Sequence, residues 1–266
     1  MKIGAIQFEP LFGEVDRNLE MARGLIMQSD AQLLVLPELF NTGYVFTSRE
    51  EAISLSEEIP DGRTTRMLCD VAKEKGIFIA GGLAEKSGDG IFNSAVLVSP
   101  DGYVGRYRKV HLFFEEKLWF DPGDEGFSVY DTGVCKVGIM ICFDWFFPES
   151  MRALSLMGAD IICHPANLVM SFCQDAMKTR SLENHVFAIT ANRTGTESRG
   201  GKSLHFTGGS QITGPDGRVL FRAGEDSEET GTAEIDVKSA RDKELNIHNN
   251  LFTDRRPGYY GELVVK

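Results

Sequence analysis

The stretch Val137-Gly138-Ile139-Met140-Ile141-Cys142-Phe143-Asp144 sets one cysteine at the end of an apolar run. The run is short, β-branched and uninterrupted, which suits a strand buried on both faces. Asp144 and Pro148 can then open a helix over 148–158, with Met151, Leu154 and Met157 at helical spacing and Gly158 as its stop. Cys142 therefore falls at a strand-to-helix turn, where α/β enzymes hold nucleophiles at the carboxyl end of a sheet. Free cysteine is also among the most buried residue types, so a packed core thiol is the competing reading. A thiol nucleophile needs help, because an unperturbed thiol titrates at about 8.5 and is mostly protonated at neutral pH. The five histidines (His111, His164, His185, His205, His248) carry no local catalytic signature, although a Cys/His hydrolase stays open. Glu38, which closes Leu36-Pro37-Glu38, and Lys109, which closes Gly105-Arg106-Tyr107-Arg108-Lys109, are better placed. Each ends a predicted strand, as Cys142 does, and an ionisable group there costs free energy unless it is paired.

The elements that must carry these residues alternate between strand and helix. A strand over 2–8 leads to a helix over 16–29, with Leu19, Ala22, Leu25 and Ile26 on one face, and then to a buried strand over 32–36. The plan repeats with a helix from Thr64 to Gly76 and a strand over 77–80. A hairpin follows, its arms over 93–99 and 103–108 joined by the turn tripeptide Pro100-Asp101-Gly102. The second half echoes the first: a strand over 137–142, the helix over 148–158, a strand over 160–164, a helix over 173–184, a strand over 186–192, and a hairpin about Pro215-Asp216-Gly217. Hairpins are antiparallel and strand-helix-strand crossovers parallel, so mixed sheets in a layered α/β sandwich are expected. A single domain over 1–238 and an irregular arm over 239–266, packed on that domain or exchanged with a partner chain, complete the reading.

Composition narrows the function. A chain of 266 residues that is 42% hydrophobic can bury a sizeable core, and no linker or low-complexity stretch divides it. The net charge of −11 argues against nucleic acid, whose binding relies on clustered Lys and Arg. Met1 leads directly into strand-like residues, leaving no room for a signal peptide, and no apolar run reaches the roughly 18 residues of a membrane span. A cytoplasmic protein without a membrane partner is expected. The five cysteines (Cys69, Cys135, Cys142, Cys163, Cys173) show neither C-x-x-C nor zinc spacing, so reduced thiols and no metal are expected.

Three segments, Leu36-Pro37-Glu38, Tyr107-Arg108-Lys109-Val110-His111-Leu112 and Gly138-Ile139-Met140-Ile141-Cys142-Phe143-Asp144 with Pro148-Glu149 following, resemble the signature segments of the nitrilase superfamily of carbon-nitrogen hydrolases. Asn93-Ser94, Pro122-Gly123-Asp124, Pro165-Ala166-Asn167, Arg180 with Glu183-Asn184, and Gly208-Gly209-Ser210 are similar to further segments of that family, in its order. The resemblance implies a four-layer αββα sandwich and a Glu-Lys-Cys set at Glu38, Lys109 and Cys142, with no cofactor. It also implies a second glutamate between lysine and cysteine, for which Glu116 matches best and Glu115 is the runner-up, a solvated loop pair being the alternative for both. Cys142 would attack the carbonyl carbon, Glu38 would shuttle the proton, and Lys109 with the backbone N–H of Phe143 would hold the oxyanion. Glu116 would orient the substrate amide or the attacking water.

The resemblance leaves the substrate open among small primary amides, nitriles and N-carbamoyl amines. Family members that bind a carboxylate place an arginine soon after the cysteine; Trp145-Phe146-Phe147 stands here instead and suggests an uncharged or apolar acyl group. Phe143, Trp145, Phe146 and Asn167 are the expected substrate-binding residues, and Phe113-Phe114 reads as pocket wall or core. A primary amide is the preferred substrate. Outside this family, a redox-sensing thiol protein or a noncatalytic binding module are the competing classes. Homologous folds pair through a helical face, so a homodimer or higher oligomer is expected.

Overall fold

The computed structural model describes residues 1–265. Its first half builds five neighbouring strands of one sheet, in the order β1-β2-β3-β4-β5. The strands are β1 (Lys2–Gln7), β2 (Leu33–Val35), β3 (Phe78–Ser87), β4 (Gly90–Ser99) and β5 (Gly102–Arg108), with helices α1 (Val15–Gln28), α2 (Arg49–Leu55) and α3 (Arg63–Lys75) between them. β1, β2 and β3 run parallel, as their crossovers require, and β3, β4 and β5 form antiparallel hairpins. After the short helix α4 (Glu116–Trp119) come β6 (Val129–Asp131), β7 (Lys136–Ile139), a 3-10 turn over Cys142–Phe146, α5 (Pro148–Leu156), β8 (Ile161–Ala166), α6 (Cys173–Asn184) and β9 (Phe187–Asn192). A hairpin of β10 (Thr196–Arg199) and β11 (Lys202–His205) stands apart, and β12 (Gln211–Thr213) and β13 (Val219–Arg222) complete a second sheet with the order β13-β12-β9-β8-β7-β6. In that sheet β7, β8 and β9 are parallel and β9, β12 and β13 antiparallel, so the echo between the halves read from the sequence is an echo of topology.

Alternation along the strands sorts the core into layers. Ile3, Ala5, Leu33, Val35, Ala80, Ala95 and Leu97 pack with Val137, Ile139, Ile161, Cys163 and Ile189 of the second sheet. Their immediate neighbours Ile6, Leu34, Leu36, Ile79, Val96 and Val98 instead meet Val15, Leu19, Ala22 and Ile26 of α1 and Leu68, Val71 and Ala72 of α3. On the far side α5 and α6 supply Met151, Leu154 and Met177 against the second sheet. The result is the αββα sandwich, both sheets buried on both faces.

Three features depart from the sequence reading. β3 runs on to Ser87 rather than stopping at Ala80, because Gly81 and Gly82 form a gap that another segment fills. A Cβ on Gly82 would lie 2.6 Å from the Cα of Glu38. The strand from 137 stops at Ile139, and Cys142 opens the 3-10 turn. Finally β14 (Glu229–Glu234), polar enough to escape a periodicity search, returns from the second sheet to pair antiparallel with β1. Beyond it α7 (Lys238–Arg241) is tied down by the Arg241 to Asp160 ion pair, and Lys243 donates to the carbonyls of Asn184 and His185. Leu245, Ile247, Tyr259, Leu263, Val264 and Val265 that follow are exposed; Lys266 lies outside the described residues. No helix among the described residues is long and apolar enough to cross a membrane.

The Gly82 contact is with backbone, which cannot rotate away. Gly82→Ala should therefore destabilise the protein by roughly 1–3 kcal/mol in chemical denaturation, with unchanged far-UV circular dichroism; a variant as stable as the parent would show that the Glu38 segment is not wedged there.

Candidate active site

The carboxyl ends of strands from both sheets open on one rim, where the chemistry-bearing residues meet. Glu38 lies three residues past β2, on a segment docked against β3 by the bonds Phe40 N–H to Gly82 O (3.0 Å) and Gly82 N–H to Pro37 O (3.2 Å). Lys109 directly follows β5. Its N–H donates to Asn93 O (2.8 Å) and its carbonyl accepts from Gly123 N–H (2.9 Å). Gly123 is needed there, since a Cβ would lie 2.2 Å from the Arg108 carbonyl oxygen. Glu116 opens α4, and Cys142 opens the 3-10 turn with φ of +40°, a region that non-glycine residues rarely occupy.

Asp144 holds that strained turn. Its carboxylate, wholly buried, accepts hydrogen bonds from Ile141 N–H (2.8 Å), Tyr107 Oη (2.8 Å), His111 N–H (3.2 Å) and His111 Nδ1 (2.7 Å). The sequence reading gave Asp144 only a helix-opening role. His164 supports the same turn from β8: its Nε2 donates to the Cys142 carbonyl (2.9 Å), so Nδ1 accepts from Thr190 Oγ1 (3.0 Å). Burial lowers the His164 pKa to about 4, which keeps the ring neutral. His164 thus bonds the backbone of Cys142 rather than its thiol, and the Cys/His arrangement is not what this site contains.

Glu38, Lys109, Glu116 and Cys142 are 0%, 1%, 3% and 5% exposed, so every charge here needs a partner. Lys109 Nζ donates to Glu38 Oε1 (2.6 Å) and to Glu116 Oε1 (2.7 Å), and its charge also lies 2.7 Å from Glu116 Oε2. Asn93 Nδ2 also donates to Glu38 Oε1 (2.7 Å), while Glu38 Oε2 has no hydrogen-bond partner among the described residues. Tyr44 Oη (2.6 Å) and Phe113 N–H (3.1 Å) complete the shell of Glu116. Tyr44 was not singled out in the sequence, and no periodicity or spacing marks it. Glu115, the alternative to Glu116, turns away to pair with Lys202.

One cation faces two carboxylates and a thiol, and the proton affinities follow. Burial, together with the Glu116 charge, raises the Glu38 pKa to about 7 despite the attraction of Lys109. Burial opposes the charge on Lys109, but Glu116 and Glu38 outweigh it and hold the ammonium protonated above its ordinary range. Burial and the Glu38 charge raise the Cys142 pKa well above a free thiol's, Lys109 and the Asn167 backbone pulling the other way. The resting site therefore holds a thiol beside a carboxylate poised near neutrality.

Of the expected substrate contacts, Phe143, Trp145 and Asn167 line a narrow cleft at Cys142, with Phe113, Leu168, Val169 and Met170. Asn167 also spans the rim, its Nδ2 donating to the Glu38 carbonyl (2.9 Å). Phe146 does not line the cleft: it is exposed and packs on Phe143 and Trp145, with ring centroids 5.5 and 5.1 Å apart. The reason is the 3-10 turn, which places residues three apart on one face. Cys142 and Trp145 share the cleft face, and Phe146 is turned outward. A roomier surface cleft of about 350 Å³, between Gln174, Arg222 and Glu225, contains none of Glu38, Lys109, Glu116 and Cys142.

The model of the carbon-nitrogen hydrolase family matches residues 2–243. A protein of Pyrococcus abyssi named nitrilase is 51% identical over 263 residues, covering 98% of this chain and 99% of that one. Among solved structures, a carbon-nitrogen hydrolase from Helicobacter pylori G27 superposes with a TM-score of 0.91 at 27% identity, covering 100% and 99% of the two chains. A glutamate-to-glutamine mutant of the amidase from Nesterenkonia sp. AN1, in which acrylamide has undergone Michael addition at the active-site cysteine, gives a TM-score of 0.81 at 26% identity, covering 99% and 100%.

The raised Glu38 pKa has a consequence for stability. Between the ordinary 4.5 and about 7 the folded protein keeps a proton that the unfolded chain has released. The contribution of this group is thus full below 4.5 and lost as pH rises to about 7. Glu38→Gln keeps the hydrogen bonds to Lys109 and Asn93 without the charge, so its melting temperature should exceed the parent's by several degrees at pH 8 and converge with it at pH 5. Parallel melting curves at both pH values would mean that Glu38 titrates like an exposed carboxylate.

Proposed function

This chain belongs to the carbon-nitrogen hydrolase family, a membership from which we propose that it converts small uncharged primary amides to the carboxylic acid and ammonia through a thioester on Cys142. The observation that carries the choice of an amide is Glu38 Oε2, a buried acceptor without a partner. An amide nitrogen brings N–H donors to such an acceptor; a nitrile nitrogen can only accept. The apolar lining of the cleft supports an uncharged acyl group.

The reaction follows from these groups. Cys142 Sγ attacks the carbonyl carbon as its proton passes to Glu38 Oε2, so thiolate character develops only in the attack, as the raised thiol pKa demands. The oxyanion is met by the Lys109 ammonium and by the Phe143 N–H. Collapse breaks the carbon-nitrogen bond, and Glu38 returns the proton to the departing nitrogen as ammonia. Water then attacks the thioester, giving a proton to Glu38; the acid leaves, and the sulfur regains its proton. A carboxyl that titrates near neutrality can act as base and acid in one cycle.

A nitrile is the second reading, favoured by the name of the Pyrococcus abyssi relative. The thiol would add to the nitrile carbon, and the thioimidate would hydrolyse through the same residues. The exposed apolar side chains from Leu245 to Val265 further support contact with a second copy of this chain, and light scattering that returned only the 29.5 kDa of one chain would overturn that.

Ammonia release should be fastest with short aliphatic amides, compared with the matching nitriles and N-carbamoyl amines, and absent in Cys142→Ala. Faster nitrile turnover would install the second reading, and activity surviving in Cys142→Ala would remove the thioester. Lys109→Ala, compared at equal folded concentration, should lose about 10²- to 10³-fold in turnover. The acid limb of kcat/KM should rise through pH of about 7, because Glu38 must be ionised to accept the thiol proton.

A further inference from the structure

Glu116 is held on both oxygens. A carboxylate offers about four acceptor sites, and here Oε1 receives Tyr44 Oη (2.6 Å) and Lys109 Nζ (2.7 Å), while Oε2 receives Phe113 N–H (3.1 Å) and lies 2.7 Å from the same ammonium. Protein donors hold both oxygens and both lie against one ammonium, so Glu116 acts through Lys109. Among the described residues, the Tyr44 hydroxyl is the one side-chain donor, other than Lys109, that sets its orientation.

Tyr44 is itself held from behind by an ion pair. Glu197 accepts from the N–H of Tyr44 (3.3 and 3.2 Å to its two oxygens) and from that of Val45 (2.5 Å). Arg193 Nη1 donates to Glu197 Oε2 (2.5 Å) and Nη2 to Pro10 O (3.0 Å). The guanidinium lies 4.0 Å from the centroid of Phe206, whose ring meets Tyr44 edge-on at 5.8 Å. Arg193 and Glu197 are both buried, and a buried pair carries a desolvation cost that hydrophobic packing would avoid.

Building on the Glu38-Lys109-Cys142 chemistry proposed above, we propose that Tyr44 is a positioning residue that fixes Glu116 against Lys109, and that the Arg193-Glu197 pair serves the reaction by holding Tyr44 for that task. The titratable groups facing Glu38 and Glu116 are Lys109, Tyr44, Cys142 and each other, with neutral His164 behind the thiol. Removing the hydroxyl leaves the Glu116 charge less neutralised, and that charge raises the proton affinity of Glu38.

The test is the pH dependence of Cys142 alkylation by acrylamide, with the adduct located by peptide mapping, in the parent, Tyr44→Phe, Glu197→Gln and the double variant. Tyr44→Phe keeps the ring against Phe206 and should move the midpoint upward by about half a unit to one unit. On whichever substrate the parent hydrolyses, its kcat should fall about tenfold with KM within about twofold, as loss of one hydrogen bond to a charged group implies. Glu197→Gln should move the midpoint in the same direction by less, and should add nothing once Tyr44 is Phe. An unchanged midpoint in Tyr44→Phe overturns the proposal, as does a rise in KM at constant kcat, which would put Tyr44 on the substrate. Should Tyr44→Phe fail to fold, an unchanged midpoint in Glu197→Gln does the same. If the parent hydrolyses none of the amides, nitriles or N-carbamoyl amines, the proposed function fails, while the alkylation profile still decides the role of Tyr44.

Discussion

A single ammonium, Lys109 Nζ, is shared by two carboxylates in a buried site. Burial works against an ionised Glu38, and the one cation beside it is shared with Glu116. The imbalance is the property the site depends on: it leaves Glu38 with a proton affinity near neutrality and the Cys142 thiol protonated at rest. Thiolate is not stored in this protein; in the proposed reaction it forms only as the new bond forms.

Keeping three such groups within hydrogen-bonding distance demands a rigid frame. The sandwich supplies it by bringing the carboxyl ends of β2, β5, β7 and β8 to one rim. Backbone docking is closest where side chains are missing, at Gly82 beneath Glu38 and at Gly123 against Arg108. Asn167 ties the two sheets together at the rim by holding the Glu38 carbonyl while its own N–H faces the Cys142 sulfur. The strained backbone of Cys142 persists because Asp144 and His164 over-determine the turn around it.

The same turn explains the mixed fate of the aromatic residues after the cysteine. In a 3-10 turn the two residues eclipse, and Trp145 becomes a wall of the cleft while Phe146 is turned outward.

The sequence by itself determined the alternation of strands and helices, the repeat between the halves, and the strands just beyond whose carboxyl ends Glu38, Lys109 and Cys142 fall. Period-two burial, helix faces and turn tripeptides are local properties, and these are written locally. It also carried the family, because the segments around those three residues are distinctive in type and order. Only the tertiary structure decided that Glu116 rather than Glu115 turns inward, that Tyr44 and the Arg193-Glu197 pair stand behind it, and that polar β14 closes the first sheet beside β1. Each of these is set by which remote segment lies opposite: Glu115 meets Lys202, Tyr44 meets Glu116 across 72 positions, and β14 meets β1 across the whole fold. A pairing between residues so far apart leaves no period and no local composition to read, because the partner that satisfies each buried polar group is chosen by packing and not by its neighbours in the chain.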